Sequence, residues 1–346
     1  MSVNLTDIEL FGYLGEKLPV KGWVPTYQSA LLAAVSSVSS VSSTSPVELE
    51  YMGEKITATT HSKDEIKLSL ADRKLFDFIL CWLCRFSSQD PDLDVNKSIL
   101  FMLDEYLEVM GLSKEHGNQG RYYDQIMAGL EKWGQIGLTD GVTIVDSILS
   151  KRGPLSNTSL SKNLNSAERL EAIRSDVIDG RACIGVVFNP CVVSHIERIG
   201  RLLMPHYVGL FRLVEQNENA YSIAKFLLLH YASNIRNKGP RVVQVGDLLN
   251  VCPEMRSVRN DNIRKRFEAA MNALSRTDKV MKGGIPVPPL IKWEYKQKVK
   301  NAPFKKWKRL EIQYELVGYS HDDNRLGSLI KKTKALEFAG NKIIDV

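Results

Sequence analysis

No stretch of this chain is apolar over the ~18 residues that a membrane-spanning helix needs. The nearest approach, Ala30–Val35, runs straight into serines, and no charged segment precedes it as in a signal peptide. A cytoplasmic protein without a membrane partner is expected. Cysteine is scarce and odd in number: Cys81, Cys84, Cys183, Cys191 and Cys252, mostly in apolar context. That excludes a disulfide framework and suits a reducing compartment. Cys81 and Cys84 form a lone C-x-x-C within an amphipathic segment. With no second pair they read as core, not as a zinc site. The histidines (His61, His116, His195, His206, His230, His321) are scattered. No His-x-His stands near Tyr122 and Tyr123, so the metal centre of a nicking enzyme is missing. There is neither a G-x-x-x-x-G-K-[ST] loop for ATP nor a G-x-S-x-G elbow. Carboxylate neighbours such as Asp104–Glu105 and Asp322–Asp323 read as solvated. No catalytic constellation, no metal and no cofactor are expected.

What the chain does have is positive charge gathered in one place. Nineteen of its 46 Lys and Arg residues fall between Arg236 and Arg309, against six acids, a balance of +13. The whole chain carries +6, so the remainder is −7. A basic block in an otherwise mildly acidic protein is a surface for a polyanion. Nucleic acid is the first candidate, because neutralised phosphates release counterions. The length of 346 residues, with 44% hydrophobic and 25% charged residues, suits two globular domains.

Residues 1–65 read as a flexible region with a Ser-rich linker, Ser36–Ser45. Ser69 and Asp72 form a capping-box-like helix start, followed by Leu75, Phe76, Ile79, Trp82, Leu83 and Phe86 on one helical face. An apolar run at Ile99–Leu103 and a brief helix over Asp104–Met110 follow, the latter closed by Gly111. A helix with Tyr122, Ile126, Leu130 and Trp133 comes next, then strand-like runs at Val142–Leu149 and Ala182–Phe188. The order recurs downstream. A helix reaches Tyr231, a strand covers Val242–Val245 and a short helix covers Asp247–Val251. A helix from Asp261 then repeats Ile263, Phe267, Ala270, Met271 and Leu274, and a hairpin joins Leu290–Tyr295 to Arg309–Val317. The expected class is α+β: tandem winged helix-turn-helix domains over residues 66–203 and 204–318, with a tail over 319–346. The first domain serves as an interface or an auxiliary DNA contact, the second as the main DNA binder.

In a winged helix, the second helix of the turn motif enters the major groove and the hairpin reaches the backbone or a neighbouring groove. Here that helix commits its apolar face to the core and leaves Lys265, Glu268, Ala269 and Asn272 outward, flanked by Arg264 and Arg266. Arg256 and Arg259 lie just before it, where a helix N-terminus meets phosphate. The hairpin carries Lys296, Lys298, Lys300, Lys305, Lys306, Lys308 and Arg309. Arg, Lys and Asn read guanine and adenine edges, and lysines suit phosphates. Phe304 and Trp307, interleaved with the lysines, either stack on bases or anchor the loop. The first domain offers Arg121, Gln125 and Lys132 beside Asp124 and Glu131. This is a weaker DNA contact or a protein interface.

This order of elements resembles the plasmid replication initiator (Rep) proteins of the iteron-binding group, TrfA-like proteins included. The stretches that carry the resemblance are Leu68–Phe86, Asp104–Ser113 with Arg121–Trp133, Cys183–Ile196, Tyr207–Ala232, Asp247–Leu274 and the Ile291–Val317 hairpin, spanning residues 67–318. The resemblance implies that the second domain reads direct repeats in double-stranded origin DNA. The first domain adds backbone contacts or mediates self-association. Bound copies open adjacent AT-rich DNA and help recruit host replication proteins, among them an initiator and a helicase. The weakly basic first domain departs from a strict two-site reader, which favours its interface role. Asp7–Phe11 (DIELF) resembles the Leu-Phe-ended peptide that docks on a sliding clamp, with Leu10 and Phe11 as the docking residues. A winged-helix transcriptional regulator is the alternative, and a primase or nuclease the third reading.

Overall fold

A computed structural model of the chain describes residues 7–9, 17–19, 21–26, 39–43, 46–51, 54–60, 62–89, 99–112, 116–138, 142–143, 145–151, 183–188, 202–211, 218–233, 241–252, 255, 260–275, 289–297 and 302–317. The architecture is α+β, with small antiparallel sheets beside helices. The strands are β1 (Asp7–Glu9), β2 (Lys17–Pro19), β3 (Lys21–Thr26), β4 (Ser40–Val41), β5 (Val47–Tyr51), β6 (Glu54–Thr60), β7 (Ile66–Lys67), β8 (Ile99–Met102), β9 (Ile136–Leu138), β10 (Val142–Thr143), β11 (Val145–Lys151), β12 (Cys183–Phe188), β13 (Leu202–Tyr207), β14 (Arg241–Gln244), β15 (Ile291–Tyr295) and β16 (Glu311–Leu316). The helices are α1 (Leu70–Gln89), α2 (Leu103–Met110), α3 (His116–Trp133), α4 (Glu218–Ser233), α5 (Val245–Asn250), α6 (Asn260–Ser275) and the single turn α7 (Phe304–Trp307). Among the described residues no helix is long and apolar enough to cross a membrane.

Two units share one plan. The first runs α1, β8, α2, α3, β11, β12, with sheet order β11-β12-β8. The second runs α4, β14, α5, α6, β15, β16, with sheet order β14-β16-β15. In both, the strand after the opening helix takes one edge, the last strand takes the centre, and the third helix precedes the final pair.

Local chemistry explains the helix ends. The Ser69 backbone N–H donates to Asp72 Oδ2 (2.7 Å) and the Asp72 N–H donates to Ser69 Oγ (3.2 Å), a reciprocal capping box that starts α1. At the end of α2, Gly111 takes φ 64°, its N–H reaches Glu108 O and that of Leu112 reaches Leu107 O. This paired closure needs a left-handed residue, which glycine adopts without a Cβ penalty. Helix α3 crosses α1 at Gly129, where a Cβ would stand 2.8 Å from Asp72 Oδ1. The contact is sealed by Phe76 stacked on Trp133, with centroids 4.4 Å apart, and by Trp133 Nε1 donating to Asp72 O.

The described residues within 1–65 form strands, where the sequence predicts a weakly structured region. β3 pairs with β13, β5 and β6 form a hairpin that continues through β9 to β10, and β4 pairs with β7. Even the Ser-rich tract contributes an edge: Val41 is buried, and Leu68 donates its N–H to Ser39 O. The partners β9 and β13 lie far along the chain, so a local reading of composition misses the pairing. The expected single run Val142–Leu149 also divides, because β10 joins β9 while β11 joins β12.

The core of the second unit gathers α4, α5, α6 and the inner face of β15 and β16, and it accepts Leu70 from α1. Helices α1 and α4 are buried all round over residues 72–80 and 220–229. Such helices are ordinarily apolar on every face. These carry Asp72, Arg73, Lys74, Asp77, Ser222 and Lys225 in the interior. Across the two helices, Arg73 pairs with Glu218 and reaches Ser222 Oγ at 3.5 Å. Asp77 takes Lys225 Nζ at 2.7 Å and the hydroxyl of Tyr221.

Candidate nucleic-acid interface

The interface is built on α6 and the hairpin that follows it. Ile263, Phe267, Ala270, Met271 and Leu274 are all buried, as their spacing predicts. Helical geometry then turns Asn262, Lys265, Arg266, Ala269 and Asn272 outward, and all five are exposed. Asn262 escaped the sequence reading, although its spacing of three, seven and ten residues from Lys265, Ala269 and Asn272 puts it on the same stripe. Glu268, expected outward with them, is half-buried at the edge of that stripe and held by Arg264 and Tyr295, so the exposed side chains present donors and positive charge.

The link between β15 and β16 is held from inside. Trp307 is 1% exposed and stands edge-on to Phe267 of α6, with centroids 5.6 Å apart. Phe304 packs against the same core. Of the two roles open to these aromatics, anchoring is the one their burial supports. With Trp307 inward, Lys305, Lys306, Lys308 and Arg309 are exposed. Lys308 Nζ lies over the Phe304 ring, 4.9 Å from its centroid. The base of the loop is tied to α5, since Gly246 N–H donates to Lys308 O (2.9 Å) and Val245 N–H to Leu310 O (3.0 Å).

A polar chain joins the loop to α6. Trp307 Nε1 donates to Tyr295 Oη (3.2 Å), and the Tyr295 hydroxyl donates to Glu268 Oε1 (3.2 Å). That same oxygen receives Arg264 Nε at 3.1 Å. Burial, with Glu268 beside it, pushes the Tyr295 hydroxyl up to about 12, so it stays a donor throughout the neutral range. Arg264, expected to flank the DNA face, is thereby engaged in fixing the helix against the hairpin. Lys296 is engaged as well, with its ammonium 2.7 Å from Glu311 Oε2.

The structure thus brings Lys265, Arg266 and Asn272 on α6 into one unit with Lys305, Lys306, Lys308 and Arg309 on the loop. Arg256, Arg259, Lys298 and Lys300 lie outside the described residues, as do Leu10, Phe11 and the tail over 319–346.

The equivalent helix of the first unit is different. Arg121 and Gln125 are exposed on α3, but so are Asp124 and Glu131. Lys132 turns inward to Asp72 Oδ2 at 2.7 Å. It serves the cap of α1, and the outward face is left without net positive charge. Among the described residues, no group of three or more His, Cys, Asp or Glu is placed to hold a metal ion.

This is an α+β protein with two topologically equivalent units, of which, among the described residues, the second bears a basic outward face on its third helix. No family model matches the chain. No curated protein matches it either. Among solved structures, it is similar to the selenomethionine form of domains 2 and 3 of RctB, at 8% identity and a TM-score of 0.47, over 84% of this chain and 99% of the other. A second crystal structure of RctB domains 2 and 3 is similar over 82% of this chain and 96% of its own, with TM-score 0.41 and 8% identity.

Proposed function

We propose that this protein binds double-stranded DNA sequence-specifically through its second unit and initiates plasmid replication by occupying direct repeats. The carrying observation is an exposed basic stripe on α6 together with exposed lysines on a loop whose buried Trp307 packs edge-on against Phe267 of that same helix. In this reading both units are winged helices. α6 lies in the major groove with Lys265, Arg266 and Asn272 at base edges. Lys305, Lys306, Lys308 and Arg309 meet phosphates, which position the helix without reading sequence. The first unit, with its mixed-charge α3, serves assembly with another copy or with host replication proteins rather than base readout. Several bound copies supply the free energy that opens adjacent AT-rich DNA, and no covalent step is needed.

The test uses the DNA flanking the gene. Fluorescence anisotropy compares duplexes carrying its direct repeats, roughly 20 bp long and two helical turns apart, with shuffled duplexes. A preference of a thousandfold or more for the repeats is expected, together with permanganate-reactive thymines in the AT-rich segment. Preference for an inverted repeat without strand opening would instead indicate a transcriptional regulator. Equal binding to shuffled DNA sinks the specific reading altogether.

A further inference from the structure

Helices α1 and α4 meet through two charged rungs. One is Arg73 with Glu218 and Ser222; the other is Asp77 with Tyr221 and Lys225. Arg73 and Asp77 are four residues apart, one turn of α1. Glu218, Tyr221, Ser222 and Lys225 fall at i, i+3, i+4 and i+7, one face of α4. The rungs climb both helices in the same chain direction. Arg73, Asp77, Ser222 and Lys225 are all buried, so water screens these charges little.

We propose that this ladder is a registry device that holds the two units in a single relative placement. Apolar faces tolerate sliding, because one aliphatic contact resembles the next. A dry charge ladder does not. A slip of one turn one way sets Arg73 against Lys225, and a slip the other way sets Asp77 against Glu218. The first is a like-charge encounter between two buried groups, and the second sets buried Asp77 against the half-buried Glu218. Replacing a buried ion pair by apolar groups is often neutral for stability, and in some proteins a buried polar group instead selects one register over its neighbours. The ladder is also wired to both candidate surfaces. Asp72, adjacent to Arg73, anchors α3 through Lys132 and Trp133, and α4 packs on α6 within the second core. Arg73, Asp77, Glu218 and Lys225 are thus positioning residues that set the separation of the α3 face from the α6 face. The proposal stands whether or not the basic face binds DNA.

The test measures that separation directly in the full-length protein. Spin labels go on non-canonical residues at Gln125 of α3 and Lys292 of β15, both exposed. The distance distribution between them is read by double electron–electron resonance. The parent is expected to give one narrow distribution. Asp77→Leu with Lys225→Met replaces a rung by apolar groups, which commonly leaves stability intact. It is expected to keep its melting temperature and to broaden the distribution or add a population displaced by about 5 Å, one helical turn. Arg73→Met with Glu218→Leu tests the other rung in the same way. A narrow, unshifted distribution in a folded double variant overturns the proposal. If neither variant folds, the ladder is a stability element and the registry claim falls as well.

Discussion

Replacing Lys305, Lys306 and Lys308 by alanine tests the loop as a phosphate clamp, because the structure separates these lysines from their neighbours. All three are exposed, and Trp307, which holds the turn in place, is left intact. Each phosphate contact contributes about 0.9 to the slope of log affinity against log salt on B-form DNA. If all three lysines meet phosphates, the slope flattens by roughly 2.7. Between 50 and 200 mM salt the parent then loses about 40-fold more affinity than the variant. Extrapolated from 1 M to 0.15 M, the same term weakens binding on the order of a hundredfold, on specific and shuffled duplexes alike. Lys296→Ala is the internal control. Its ammonium must leave Glu311, 2.7 Å away, to reach DNA, so its slope change is expected to fall well below 0.9. Anisotropy titrations at four or five salt concentrations measure both. An unchanged slope in the triple variant, with its melting temperature retained, refutes the clamp. An equal change for Lys296→Ala refutes the argument that an existing ion pair withholds a lysine.

Further outcomes follow from particular contacts. Trp307→Ala empties a fully buried indole site and removes the hydrogen bond that Tyr295 Oη accepts, so thermal unfolding should show a loss of about 3–5 kcal/mol. Were Trp307 a base-stacking residue, the melting temperature would hold and only DNA affinity would fall. Gly129→Ala places a methyl 2.8 Å from Asp72 Oδ1 and 3.2 Å from Leu75 Cδ2, and denaturant titration should register about 1–3 kcal/mol of destabilisation. His230, with Nδ1 2.8 Å from the Tyr314 hydroxyl, is held below its ordinary 6.5, chiefly by burial and then by Arg241, with Asp247 opposing. The unfolded chain therefore binds the proton more readily. Stability is fully present above about pH 6.5 and falls as the pH drops below it. His230→Phe should flatten that part of the melting temperature against pH, and an unaltered slope would place the titrating group elsewhere.

Periodicity alone located α6 and named its five buried residues, because a 3.6-residue repeat of large apolar side chains has one way to face a core. Ser69 with Asp72, and Gly111, likewise marked their helix ends through chemistry confined to a few neighbouring residues. The tandem order of elements was legible for the same reason. What could not be read locally was every feature whose partner is distant in sequence. Arg73 and Asp77 are charged residues in the interior, because α4 arrives some 145 positions later to pair with them. Arg264, Lys296 and Lys132 read as free cations until Glu268, Glu311 and Asp72 claim them. The sequence by itself determined where positive charge is concentrated and which helix carries it, since composition and period are local properties. Only the tertiary structure decided which of those charges face outward and which are bound, since a charge is engaged by whatever the fold brings within about 3–4 Å.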